Sequence, residues 1–165
     1  MTTQQIKNSE QLAQACVDGD ITQVKELLQS GKSIHSYQDN EGYTALMRAC
    51  IHGKYKIALL LLQTGKSGPQ LKNNDGETAL FFASGFGWVK IVRLLIATGQ
   101  SHPEYQDNDG NTALMQASSW GYIDCVKLLL TTGKSYPEYK DKNGMIASDW
   151  AELNAEYNIV KLLKV

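Results

Sequence analysis

Apolar residues along this chain gather in short blocks that recur at a fixed interval. The densest are Leu27-Leu28, Leu61-Leu62, Leu94-Leu95-Ile96, Leu128-Leu129-Leu130 and Leu162-Leu163. Glycines at 31, 65, 99 and 133 close the first four blocks, each 34 residues after the last. In Val89-Lys90-Ile91-Val92-Arg93-Leu94-Leu95-Ile96 the apolar positions cover more than one helical stripe. Such a helix has neighbours on both sides. The pattern predicts a helix from Val89 to Ala97, with Gly99 as its left-handed C-cap. Ahead of it lies a shorter apolar stretch, Ala79-Leu80-Phe81-Phe82-Ala83-Ser84. This predicts a short first helix that Thr78 caps by accepting a backbone N–H and that ends near Gly87.

Polar punctuation keeps the same step. Asn108-Asp109-Gly110-Asn111-Thr112-Ala113-Leu114 recurs as Asn40-Glu41-Gly42-Tyr43-Thr44-Ala45-Leu46 and as Asn74-Asp75-Gly76-Glu77-Thr78-Ala79-Leu80. A weaker fourth copy is Lys142-Asn143-Gly144-Met145-Ile146-Ala147-Ser148. Gly after Asp or Asn makes a tight turn, because Gly tolerates positive φ. Further glycines fall at 19, 53, 87 and 121, and the three prolines share one loop position at 69, 103 and 137. Tyr37, Leu71, Tyr105 and Tyr139 share another. A fixed period of this size is the mark of a repeat architecture.

The unit reads Gly-x-Thr-Ala-Leu, a small residue, a mid-repeat Gly, Val/Ile-x-Leu-Leu and a closing Gly. It resembles the ankyrin repeat over roughly residues 5 to 165. The resemblance implies an all-α repeat solenoid, helix-turn-helix units joined by hairpin loops. It forms a single domain over 1–165, with repeats at about 5–38, 39–72, 73–106, 107–140 and 141–165. There are two departures. The family's Thr-Pro-Leu-His appears as Thr44-Ala45-Leu46-Met47, Thr78-Ala79-Leu80-Phe81 and Thr112-Ala113-Leu114-Met115. Apolar packing should therefore replace the usual histidine hydrogen bonds. The period is 34 rather than 33, which lengthens the hairpin loop.

Both ends are atypical, as capping repeats should be. In the first, Asn8 stands for the turn Gly and Glu10 for the Thr, and Gln14, Asp18, Thr22, Gln23, Lys25 and Glu26 make the helices polar. In the last, Ile146, Ser148, Asp149, Glu152, Asn154, Glu156 and Asn158 break the pattern. Two polar caps are the expectation for a complete solenoid.

Composition narrows the function. Lys+Arg 16 against Asp+Glu 17 gives a net charge of -1, without the basic excess of a phosphate-binding chain, so no nucleic-acid partner is expected. The longest apolar run, Ile57 to Leu62, is too short for membrane insertion. Cys16, Cys50 and Cys125 are an odd number without a C-x-x-C, which suits free thiols. The N-terminus lacks the features of a signal peptide. The expectation is an intracellular, cytoplasmic monomer.

Candidate chemistry dissolves on inspection. Gly-Lys-Ser at 31–33, 65–67 and 133–135 ends a helix, whereas a phosphate-binding loop begins one. The residues five before those glycines, Glu26, Leu60 and Leu128, are not glycines. His35, His52 and His102 fall in different parts of the repeat, so no metal site is expected. Asp39, Asp107 and Asp141 share a hairpin position, which explains them better than carboxylate catalysis. No catalytic set can be assembled, no cofactor is called for, and the chain is expected not to be an enzyme.

A binding surface remains. The resemblance implies a concave groove lined by residues beside the turn Gly and by those just before the mid-repeat Gly. The first group supplies Tyr43, Glu77 and Asn111, the second His52, Phe86 and Trp120. Aromatic Phe86 and Trp120 among polar neighbours suit anchors in a polar rim. The alternative is that both rings only cover a neighbouring repeat. The expected function is a protein–protein interaction module or scaffold. The alternative function is a stand-alone regulatory subunit that inhibits an enzyme by occlusion.

Overall fold

The computed structural model describes residues 2–164. They form ten helices: α1 (Thr3–Asp18), α2 (Ile21–Gln29), α3 (Ala45–Ile51), α4 (Tyr55–Gln63), α5 (Ala79–Gly85), α6 (Val89–Ala97), α7 (Ala113–Ser119), α8 (Ile123–Leu130), α9 (Ala147–Leu153) and α10 (Tyr157–Leu163). Each odd helix pairs with the even helix that follows, and the five pairs stack in sequence order. Among the described residues the only β pairing is two isolated bridges, Lys72 with Thr78 and Gln106 with Thr112. The fold is an all-α repeat solenoid.

The expected helix starts are present. Thr44, Thr78 and Thr112 sit in extended backbone and accept from the N–H of Met47, Phe81 and Met115 at 3.1–3.2 Å. Met47, Phe81 and Met115 are buried, as apolar packing in place of histidine requires. Met47 also closes its own cap, since its sulfur accepts from the Thr44 N–H at 3.4 Å.

The first turn of the chain departs from expectation. Asn8 does not occupy a turn at all; it lies inside the long helix α1. Without a Gly at 8 or a Thr at 10, nothing stops the helix there. It starts instead at Thr2, in a reciprocal capping box with Gln5.

Small residues set the curvature. Each of α3, α5, α7 and α9 buries two alanines four apart: Ala45 and Ala49, Ala79 and Ala83, Ala113 and Ala117, Ala147 and Ala151. Residues four apart share one helix face, and alanine lets backbones approach. The odd helices accordingly pack more closely on one another than the even ones do. The stack therefore bends, with the odd helices on the inner side. The even helices supply bulk, through Ile57 and Leu61, Ile91 and Leu95, Val126 and Leu129, and Ile159. Of each leucine pair in α4, α6 and α8, one member is fully inside and the other half-buried.

The hairpins zip the repeats together. Asp39, Asn73, Asp107 and Asp141 each use one side-chain oxygen to accept from the backbone N–H groups two and four residues on, at 2.7–3.1 Å. That fixes the turn and accounts for the shared acid position. Between repeats, the N–H groups of Asn74, Asn108 and Lys142 donate to the carbonyls of Glu41, Asp75 and Asp109 at 2.8–3.0 Å. Gly76 holds φ 84° at a hairpin tip, where a Cβ would lie 2.9 Å from the Asn108 backbone nitrogen.

A second close approach occurs at the glycine between paired helices. A Cβ on Gly53 would meet the Trp88 ring at 2.7 Å, one on Gly87 the Tyr122 ring at 2.5 Å, and one on Gly121 the Glu156 carboxylate at 2.5 Å. Each repeat thus lays one side chain on the bare turn of the repeat before it. The last repeat has Ala155 there, at φ 61°. An alanine is accommodated because no further described repeat covers it, but it still bears left-handed strain.

Two substitutions test this packing. Leu95 is fully buried in α6, so Leu95→Ala should cost about 2–5 kcal/mol in urea unfolding. Ala155→Gly should instead stabilise by about 1 kcal/mol, seen as a higher urea midpoint, because it removes the left-handed strain.

Candidate functional site

The inner face is built from repeat positions that fall in register. Tyr43, Glu77, Asn111 and Met145 follow the hairpin glycine. Arg48, Phe82, Gln116 and Trp150 sit mid-way along α3, α5, α7 and α9. His52, Phe86, Trp120 and Asn154 are the C-cap residues of those helices.

The structure gathers three of the six candidate residues in one place. Glu77, Phe86 and Trp120 line a cavity of about 390 Å³ together with Phe81, Phe82, Gly85, Gln116 and Tyr122. Phe86 is 47% exposed and Trp120 65% exposed, so neither ring is consumed by the core. The glycine turns of the preceding repeats are covered by Trp88 and Tyr122. Tyr43 stands beside the cavity, stacked on Phe82 with ring centroids 5.7 Å apart.

The other two lie apart. His52 lines a separate depression with Glu10, Gln14, Val17, Asp39 and Arg48, against α1. Asn111 lines a smaller one of about 90 Å³ with Met115, Gln116, Ser119 and Trp150. Its amide donates to Asp107 at 3.0 Å, so it also braces its own hairpin.

Residues missed from the sequence explain why the cavity exists. Gly85 occupies the position of Ile51, Ser119 and Leu153, so α5 alone has no side chain there. Phe82 stands where the neighbouring repeats carry Arg48 and Gln116. A glycine at the end of a short helix that also carries an extra aromatic was the available signal. Gly85 has ordinary helical backbone, and a Cβ would sit 3.6 Å from Gln116, an ordinary contact. Its bareness is thus not demanded by the backbone.

Charge differs along the face. At Tyr43, the Arg48 guanidinium lies 4.1 Å from the ring centroid and 2.8 Å from the Asp39 carboxylate. Burial alone would raise the Asp39 carboxyl, but the Arg48 guanidinium and the Tyr43 and Glu41 amides outweigh it and hold it below its usual range. Glu77 is the opposite case. Burial raises its carboxyl, Asp75 and Asp107 add to the effect, and the hydrogen bond from Asn73 at 2.8 Å only partly offsets them.

The rest of the molecule offers little reactive chemistry. All three cysteines are buried; burial pushes the Cys16 thiol up to about 12 and the Cys125 thiol up to about 11. The Gly-Lys-Ser glycines follow helix ends at φ 63–66°, with Ser33, Ser67 and Ser135 buried behind them. Among the described residues, no group of three or more His, Cys, Asp or Glu is placed to hold a metal ion, and no helix is long and apolar enough to cross a membrane.

A family model described as Ankyrin repeats (3 copies) matches residues 2–67, 65–141 and 103–164. The chain belongs to the ankyrin-repeat family. No curated protein matches it. Ankyrin repeats are generally protein–protein interaction modules, and proteins built from them are typically non-enzymatic scaffolds. In this ankyrin-repeat chain the residues after the hairpin glycine and at the odd-helix C-caps differ from repeat to repeat.

The Asp39–Arg48 pair gives a pH test. Asp39 has a depressed folded-state pKa, so its contribution is present above the unfolded value of 3.8 and is lost as pH falls through the folded one. Asn73 shows that Asn preserves the turn. Asp39→Asn should therefore lower stability by about 0.5–1 kcal/mol at pH 7. The gap from wild type in urea unfolding should close as the pH drops below the folded value.

Proposed function

We propose that this chain binds a protein partner on the inner face of its solenoid, with Phe86 and Trp120 as the anchors. The observation that carries the reading is the pair of exposed aromatic rings over one cavity. Aromatic side chains bury a large area with few rotatable bonds, and they dominate binding energy when they fill a pocket. Both rings stand at helix C-caps whose backbone is hydrogen-bonded, to Phe82 and Ser84 in one case and to Gln116 and Ser118 in the other. Preordered anchors reduce the entropy lost on association.

Their surroundings fit the role. The cavity lining carries the polar side chains of Glu77 and Gln116, and Asn111 stands in a second depression that shares Gln116. Tyr43 extends the aromatic surface by one repeat through its stack on Phe82. His52, against α1, marks the far end of the same face. Partner binding through Tyr43, His52, Glu77, Phe86, Asn111 and Trp120 is thus one continuous reading, with its energy concentrated at the two anchors.

Trp120→Ala tests it. Partners captured from cell extract by the wild-type chain are identified, and the affinity of the purified pair is measured. Trp120→Ala should weaken binding by about 2 kcal/mol or more. It should destabilise less than Leu95→Ala, because the ring is mostly exposed. Phe86→Ala should act in the same direction more weakly. Lys90→Ala, on the exposed side of α6, should leave affinity unchanged. Intact affinity in folded Trp120→Ala would overturn the anchor assignment.

A further inference from the structure

The aromatic cavity has a property that a plain hydrophobic anchor site does not need. Phe81, Phe82, Phe86, Trp120 and Tyr122 all line it, and so does Glu77. No lysine, arginine or histidine does. One Glu77 oxygen accepts from Asn73, and the other has no hydrogen-bond partner among the described residues. Asp75 and Asp107 act electrostatically on Glu77, and among the described residues neither forms an ion pair with a cation. On the other hairpins Asp39 and Glu41 pair with Arg48 and Asp109 with Lys142, while Asp141 accepts from the Trp150 indole N–H. Glu77 thus stands on the cavity wall as an acid that no cation among the described residues pairs, with Asp75 and Asp107 adding to its field from outside the lining.

Aromatic faces carry negative potential and attract a cation over the ring, more so where water is excluded. Carboxylate and ring faces on one wall act in the same direction. An apolar partner side chain would fill the rings but leave Glu77 covered and unpaired, at a cost. A cationic one satisfies both. Guanidinium suits the site better than a bare ammonium, because it is planar, stacks on aromatic rings and is weakly hydrated. The volume, about 390 Å³, also exceeds what an ammonium group requires.

We propose that the Phe82–Phe86–Trp120–Tyr122 cavity seats an arginine side chain of the partner protein, with its guanidinium against Glu77. This rests on the inner-face reading above and names the partner chemistry that the face selects. Gly85 is part of the device, since any larger side chain there would occupy the space that the arginine stem needs.

The test uses small probes on the isotopically labelled full chain. N-acetyl-arginine amide is compared by NMR with N-acetyl-citrulline amide, which has the same shape without the charge, and with N-acetyl-trimethyllysine amide. The reporters are the Gly85, Phe86 and Gln116 amides and the Trp120 indole N–H. The arginine probe should shift them and bind roughly fivefold more tightly than citrulline, the scale of one exposed cation–π contact. Glu77→Gln keeps the Asn73 contact available and should reduce that preference, leaving only the share due to the rings; an unchanged preference would overturn the Glu77 contact. Gly85→Leu should fill the cavity and abolish binding of every probe, with its helical circular dichroism retained. Equal binding of citrulline, tighter binding of trimethyllysine, or no arginine-dependent shifts at roughly 20 mM would each overturn the assignment. The inner-face reading is judged separately: loss of the partner in Trp120→Ala with equal arginine and citrulline binding would leave that reading intact and sink only this one.

Discussion

Contact between successive repeats is the constraint on which the whole molecule depends. No helix pair here can bury its own apolar faces, since each is two helices of at most nine residues except at the start of the chain. Burial comes from the neighbour, so every repeat must approach the next closely and in the same way. Three devices achieve it. Paired alanines bring the odd helices together. The hairpin tips exchange backbone hydrogen bonds from one repeat to the next. The glycine between paired helices leaves room for Trp88, Tyr122 or Glu156 to lie on it.

These devices also decide where variation is tolerated. The Thr caps, the alanines and the acceptors at 39, 73, 107 and 141 are committed to structure. The residues after the hairpin glycine and at the odd-helix C-caps are less constrained, although Glu77 and Asn111 each hydrogen-bond within their own hairpin. Tyr, Glu, Asn and Met appear at the first of these positions, and His, Phe, Trp and Asn at the second. A regular stack thereby presents a row of freely chosen side chains on one rigid face. The row is apolar and acidic in its middle, and basic at Arg48, where the charge is neutralised by Asp39.

Rigid display and local chemistry meet at α5. The absence of a side chain at Gly85 and the ring at Phe82 give the depression at α5 its aromatic walls. The rings of Phe86 and Trp120 stay exposed because the turns beneath them are already covered, by Tyr122 and Glu156. Large apolar rings left exposed on an ordered scaffold support the proposed binding role.

Periodicity by itself determined the family, the helix pairs, their caps and the positions of their glycines. A repeat forces each residue type into the same environment many times, so one turn or cap explained is explained throughout. Val89 to Ala97 and the Thr78 cap were legible for that reason. Asn8 was not, because a capping repeat has only one copy, and the choice between turn and helix at α1 was made by Thr2 and Gln5 instead. The same limit applied to the site. Phe86 and Trp120 could be placed on one face by register alone, but the same register put His52 and Asn111 beside them. Only the packing of α5 against α7 separated these residues into different depressions and joined Glu77, Phe82 and Tyr122 to the aromatic pair. A cavity is a property of neighbouring surfaces, and no single repeat contains both of its walls.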